Sequence, residues 1–130
     1  MNFFQEELGI LTGKNTAFKS SNPVFVGRAC FIPLTDGRKA RMEFVTLGTA
    51  GNYEALQITI LNPYEGQIDR LQLRFEDYFS KINTNYGMRP PTIWADQGQA
   101  LWYGAPDKAE KLALSNAAHA FISLFKKNPA

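Results

Sequence analysis

Cys30, His119 and a few acids are the side chains of this 130-residue chain that could perform covalent or acid–base chemistry. Cys30 is the single cysteine and His119 the single histidine. A cysteine nucleophile needs a base beside it or an electropositive niche that holds it as thiolate. Nothing in the spacing of residues 30 and 119 pairs them, although Arg28 and Arg41 could supply positive charge. A structural thiol on a half-buried strand is the plainer expectation. The acids Glu76 and Asp77 are adjacent, so on a strand they point to opposite faces and do not converge. Asp69 and Glu65 read as solvated acids at strand ends. One cysteine and one histidine exclude a multi-cysteine zinc centre, and no carboxylate-rich loop takes its place. No metal and no cofactor is expected. Gly13-Lys14 is not a phosphate loop: Leu8 stands where a glycine is required and Asn15 where Ser or Thr is required.

The residues that could bind rather than react are more numerous. Arg28, Lys39, Arg41, Arg70 and Arg74 fall on alternating strand positions, with Glu43 as the acid among them. Guanidinium groups suit carboxylate or phosphate recognition. The same pattern also suits a solvated face with cross-strand ion pairs. Trp94, Trp102 and Tyr103, with Tyr86, form an aromatic group suited to partner hot spots or base stacking. They equally suit packing beneath a helix. Net charge is +2, too small to imply nucleic-acid binding unless it is gathered on one face.

The elements that would position these residues make an α+β fold. It is an antiparallel β-meander of four strands plus a second short hairpin, packed against one long C-terminal helix. Residues 1–23 read as an N-terminal arm with a short helix at 3–8, capped by Asn2 and ended by Gly9. Residues 24–130 form the single domain. Val24 to Leu34 is the first strand and Lys39 to Leu47 its return. A two-residue Asp36-Gly37 turn would set Phe31 opposite Met42 and Ala29 opposite Phe44 on the core face. Arg28, Cys30 and Ile32 would then share the other face with Lys39, Arg41, Glu43 and Val45. Pro33 marks the first strand as an edge.

Leu56, Ile58 and Ile60 alternate with polar residues in a third strand, and Leu71, Leu73 and Phe75 in a fourth. A helical turn is expected within 77–82. Thr92–Ala95 and Ala100–Tyr103 form the second hairpin. Asp107 and Glu110 make a capping box for the last helix. Its apolar stripe reads as Ala109, Leu112, Ala113, Asn116, Ala117, Ala120, Phe121 and Leu124. Lys126 and Lys127 suit its final turn.

Three stretches carry a resemblance: Val26-Gly27-Arg28-Ala29-Cys30, Glu43 to Ala50, and Tyr53-Glu54-Ala55-Leu56-Gln57. With Leu71 to Phe79 and the spacing of Ile93-Trp94 to Trp102-Tyr103, residues 24 to 104 resemble small uncharacterised proteins of bacterial conjugative and other mobile elements. The resemblance implies a bacterial cytoplasm and an accessory role, and assigns no activity or site residue. The acidic N-terminus is unlike a secretory signal, and no apolar run approaches a membrane span.

The function expected is therefore a non-enzymatic accessory binding protein. It would contact a protein or nucleic-acid partner through Arg28, Lys39, Arg41, Arg70, Arg74, Trp94, Trp102 and Tyr103. The alternatives are a small enzyme using Cys30 or a cluster of acids, and a self-associating structural protein, such as a homodimer paired through an exposed edge.

Overall fold

The computed structural model describes residues 2–13, 22–48, 51–79, 91–96 and 98–125. Tyr86, Lys126 and Lys127 lie outside the described residues. The chain runs α1 (Phe3–Gly13), β1 (Val24–Val26), β2 (Ala29–Pro33), β3 (Lys39–Thr46), β4 (Asn52–Leu61), β5 (Gln67–Arg74), α2 (Phe75–Tyr78), β6 (Thr92–Asp96), β7 (Gln99–Tyr103) and α3 (Lys108–Ser123). The seven strands make one antiparallel sheet, ordered β1-β2-β3-β4-β6-β7, with β5 on the same edge of β4 as β6. The fold is α+β.

The Asp36-Gly37 hairpin forms, but its loop is one residue longer than a two-residue turn. Pro33 pairs with Lys39, and Leu34 N donates to Arg38 O at 2.8 Å. Thr35–Gly37 is therefore the loop, with φ of 59° at Asp36 and 77° at Gly37. Arg38 holds the wider loop closed. Its guanidinium donates to Thr35 O at 3.3 Å, to Thr35 Oγ1 at 3.0 Å and to Phe125 O at 2.9 Å. A shift of one residue turns every side chain of a strand to the other face. Cys30, not Phe31, thus opposes Met42, and Ala29 opposes Glu43. Cys30 and Ile32 are in the core, while Phe31 lies on the other face and stacks under Lys39, 5.2 Å from its Nζ.

The expected first strand is also two. Gly27, with φ of 59°, opens a two-residue turn that pairs Val26 with Ala29. Glycine at the first position of such a turn relieves the positive-φ cost. The side chains of Asn2 and Gln5 donate to Gly27 O at 2.9 and 3.0 Å, fastening the turn to α1. The edge strand is therefore β1. Pro33 lies beyond the end of β1, where its missing N–H costs no ladder bond.

The later strands follow the expected alternation. β4 pairs with β3 and β5 so that Leu56, Ile58 and Ile60 face the core with Met42, Phe44 and Leu73. A bulge at Val45/Thr46 gives Glu54 no partner in β3 and returns Tyr53 to the core side, against Phe4. The helical turn expected within 77–82 comes earlier, at α2.

Both long helices cover the same face. Asn2 caps α1, its Oδ1 accepting from Gln5 N at 2.8 Å. The helix runs through Gly9 to Gly13 because Phe4, Leu8 and Leu11 are buried in the core. Tertiary burial of about 1.5–3 kcal/mol per such side chain outweighs the roughly 1 kcal/mol that a mid-helix glycine costs. The 3–8 helix is thus longer than its local signals indicate, and it belongs to the same core as residues beyond 24. The Asp107–Glu110 capping box forms, with Glu110 N donating to Asp107 Oδ1 at 2.8 Å.

The face that α3 buries differs from the expected stripe. Leu114, Ser115, Ala118 and Ile122 are buried, whereas Ala109, Leu112, Ala113, Asn116, Ala120 and Leu124 are exposed. Ala117 and Phe121 are half-buried beside the core. Alanines occur all round this helix, so counting them as apolar misplaces the stripe; the branched residues Leu114 and Ile122 mark it. The Ser115 hydroxyl donates to Leu11 O, joining α3 to α1.

One charged group lies inside this helical layer. Glu7 of α1 is 8 % exposed. It accepts from Trp102 Nε1, and Lys111 Nζ lies 3.5 Å from both of its carboxylate oxygens. Lys111 also sits over the Trp102 ring, 5.8 Å from its centroid. The cluster links α1, β7 and α3.

Candidate functional site

With α1 and α3 on the core side, no described helix covers the opposite face. Strand register sets its rows of side chains. Val24, Phe31, Arg41, Thr59 and Arg70 form one row across β1 to β5, and Val26, Ala29, Glu43, Gln57 and Gln72 the next. Val45, Ala55 and Arg74 follow on one side, and Pro33, Lys39 and Leu61 on the other. Trp94 opposes Asn52 just beyond Arg74 along β4, so it joins this face with Tyr103 and Leu101. Trp94 and Tyr103 are stacked, with centroids 6.1 Å apart and an interplanar angle of 7°.

Six of the expected site residues therefore share one surface: Lys39, Arg41, Arg70, Arg74, Trp94 and Tyr103. Two do not. Arg28 sits in the β1–β2 turn and bends toward α1, donating from Nη1 to the Tyr53 hydroxyl at 2.6 Å. Its guanidinium lies over the Phe4 ring, 5.0 Å from the centroid. The turn at Gly27, absent from a continuous first strand, removes Arg28 from the sheet face. Trp102 pairs with Ile93 and points to the core side, among Phe44, Phe75 and Phe79. Period-two alternation separates Trp102 from its neighbour Tyr103.

Most of the positive charge on this face is already matched. Arg41 Nε lies 3.3 Å from Glu43 Oε1, Arg74 Nη1 lies 3.1 Å from Glu76 Oε1, and Lys39 pairs with Glu65. Arg70 has no ion pair among the described residues. These pairs are half-buried or exposed, so each contributes no more than about 1 kcal/mol. Their consequence is electrostatic: the face offers a mosaic, not a uniformly positive field.

Beside the mosaic lies an apolar margin that the expected register concealed. Val24 and Val26 are 53 % and 57 % exposed on the edge strand. With Phe31, Pro33 and Leu34 they line an open groove of about 420 Å³. Alternation across Gly27 would have revealed it, had the turn there been recognised.

Among the described residues, those with reactive potential do not converge on one site. Cys30 is 0 % exposed, and burial pushes its thiol up to about 12. It stays protonated and inert, as a thiol in apolar surroundings does. Glu76 and Asp77 are exposed in α2, Glu65 is taken by Lys39, and Asp69 Oδ1 accepts from Arg70 N at 2.8 Å. His119, half-buried on α3, lies against the Ser123 hydroxyl. No three of the described His, Cys, Asp and Glu residues are grouped as metal ligands. Among the described residues no helix is long and apolar enough to cross a membrane.

Comparison with protein families, with curated proteins and with solved structures finds no match to this chain.

Proposed function

We propose that this protein is a non-enzymatic binding module that takes a protein partner on the sheet face left open by its helices. The observation that carries this reading is the composition of that face. A central band of Lys39, Arg41, Arg70 and Arg74 lies between an apolar margin at Val24 and Val26 and a stacked Trp94–Tyr103 pair. Protein interfaces draw on the same residue types, apolar side chains with arginines and aromatics. Nucleic acid is the weaker fit, because three of the four cations already carry a carboxylate partner. Affinity for a phosphate backbone scales with the charges free to displace counterions. The resemblance of residues 24 to 104 to accessory proteins of conjugative elements supports a bacterial, cytoplasmic setting, with conjugation machinery or a host defence system as the source of the partner.

The test is affinity capture from a host bearing such an element, with Arg70→Glu/Arg74→Glu and Val26→Asp variants beside the unaltered chain. A partner retained by the unaltered chain and reduced about tenfold in both folded variants (about 1.4 kcal/mol) supports the reading. Equal retention refutes it. Binding to labelled DNA should show little dependence on salt. A steep log–log slope, about −4 or beyond, would reassign the face to nucleic acid.

A second reading has its own observation. The outer edge of β1 is unpaired among the described residues and flanked by two exposed valines, which suits strand pairing between two copies. A light-scattering mass of twice 14.6 kDa, abolished by Val26→Pro, supports self-association; a monomeric mass at high concentration excludes it.

A further inference from the structure

Arg28, taken out of the sheet face by the Gly27 turn, lies in a cleft of about 250 Å³. The cleft lies between the start of α1, the β1–β2 turn, the start of β4 and the β6–β7 hairpin. Phe4 and Tyr53 supply aromatic walls, Ala95 and Ala100 short apolar ones, and Gln99 a polar rim. Gly51 stands at the wall with φ of 77°, and a Cβ there would come within 3.0 Å of Ala95 O. A glycine is thus required where the hairpin meets β4, and it leaves that side of the cleft without a side chain.

The Arg28 guanidinium is anchored in this cleft without a carboxylate partner among the described residues. Its turn is fastened to α1 by Asn2 and Gln5. The Tyr53 hydroxyl accepts from one N–H at 2.6 Å, and the group lies over the Phe4 ring, 5.0 Å from its centroid. A guanidinium has five N–H donors, and no carboxylate among the described residues pairs with Arg28. Among the described residues Arg70, on the sheet face, also has no ion pair, but it has no ring or phenol holding it in a cleft as Arg28 does. Most of the other basic residues are matched. Lys39, Arg41, Arg74 and Lys111 each have a carboxylate, and Arg38 is bonded to Thr35 and the Phe125 carbonyl. An arginine placed over a ring and bonded to a phenol has given up part of its rotamer freedom before any ligand arrives. Such a fork is built to take a planar oxyanion through paired N–H bonds.

We propose that this cleft binds a small organic carboxylate carried on a flat apolar body, with Arg28 as the anion-binding residue and Tyr53 as its positioning residue. The cleft is just below the usual range of ligand sites, which begins at about 300 Å³, and this limits the ligand to a single ring or a short chain. Because Arg28 is exposed, the ligand enters without rearrangement of the fold. The site is independent of the sheet-face reading, since neither Arg70, Arg74 nor Val26 lines it.

The test uses the full chain in a nitrogen-15 amide NMR titration with benzoate. The controls are benzamide, its neutral isostere, and inorganic phosphate. Saturable shifts are expected for the Gly51, Ala95 and Ala100 amides, with benzamide weaker by about tenfold or more, the loss that follows when a charge-assisted pair is replaced by a neutral one. Arg28→Gln should abolish saturation. Arg28→Lys should weaken binding by about tenfold, since a point charge cannot supply the paired donors. Tyr53→Phe should weaken benzoate while leaving the benzamide response unchanged, which a merely structural tyrosine would not do. Four outcomes each overturn the proposal: shifts that do not saturate, equal affinity for benzamide, full affinity in Arg28→Lys, or phosphate binding as tightly as benzoate. The benzoate–benzamide comparison on the unaltered chain decides the matter even if a variant fails to fold.

Discussion

Removing the Glu7 carboxylate should destabilise the protein far more than removing Glu7 and Lys111 together. Glu7 and Lys111 side chains are 10 % and 17 % exposed, and their charged atoms are 3.5 Å apart. At an effective dielectric of about 20, two unit charges at that distance attract by about 5 kcal/mol. Desolvation of the two ions offsets most of this, so the intact pair is worth little against an apolar replacement. A single substitution is different, because it strands the surviving charge. Glu7→Leu leaves the Lys111 ammonium half-buried with no counterion, at about 3 kcal/mol, and deprives the Trp102 N–H of its acceptor, at about 1 kcal/mol. Lys111→Met leaves Glu7 with the Trp102 donor alone, at about 3 kcal/mol. The double variant retains only the stranded indole, at about 1 kcal/mol. The expected coupling is therefore about 6 kcal/mol, or about half that if water reaches the cluster. Urea unfolding reads it, followed by Trp fluorescence and by far-ultraviolet circular dichroism. Single-variant losses below about 1 kcal/mol that simply add in the double variant would refute the reasoning, and would mean the pair is solvent-screened like the surface pairs of β3 and β5.

Two further predictions come from buried groups. The Cys30 thiol has a folded-state pKa raised to about 12 by desolvation, against 9.0 when free, so its contribution is intact below pH 9.0 and is lost as pH rises toward 12. Between about pH 8 and about pH 10.5 the protein should lose about 2 kcal/mol more than a Cys30→Ala variant does; parallel losses in paired urea melts would show that the thiol ionises freely in the fold. Thr59, 1 % exposed, has no hydrogen-bond partner for Oγ1 among the described residues, so Thr59→Val, which keeps the shape and removes the stranded hydroxyl, should raise stability by about 1 kcal/mol, and a lowered melting temperature would show that the hydroxyl is satisfied.

Legibility in the sequence tracked how local each signal is. The Asp107–Glu110 capping box, the alternation of Leu56, Ile58 and Ile60, and the pairing of Thr92–Asp96 with Gln99–Tyr103 are set by residues a few positions apart, and all three formed. The β2 register was not legible. A two-residue and a three-residue loop both fit Thr35-Asp36-Gly37, and the loop that forms is accompanied by a contact no local signal carries, Arg38 to Phe125, 87 positions away. The one-residue difference in loop length decided whether Phe31 or Cys30 faced the core. The extent of α1 was hidden for a related reason: Gly9 is a local stop signal, and only burial of Leu11 carries the helix past it. On the candidate surface, alternation placed the β3, β4 and β5 positions on one face, as their register has them. Arg28 and Trp102 were misplaced, the first through an unrecognised turn and the second because adjacency in sequence means opposite faces in a strand.

The meeting of α1 and α3 also has a bearing on synthesis. Leu11 and Ser115, joined by a hydrogen bond, are 104 positions apart, so ribosomes working at about 5–20 residues per second need several seconds to bring α3 to a waiting α1. The β2–β5 meander is built from near neighbours and can zip up in that interval. Its inner face, with Met42, Phe44, Ile58 and Leu73, would stand half-roofed until α3 arrives. A nascent chain halted before Leu114 is thus a species with an assembled meander and a half-covered apolar surface, the kind that chaperones hold.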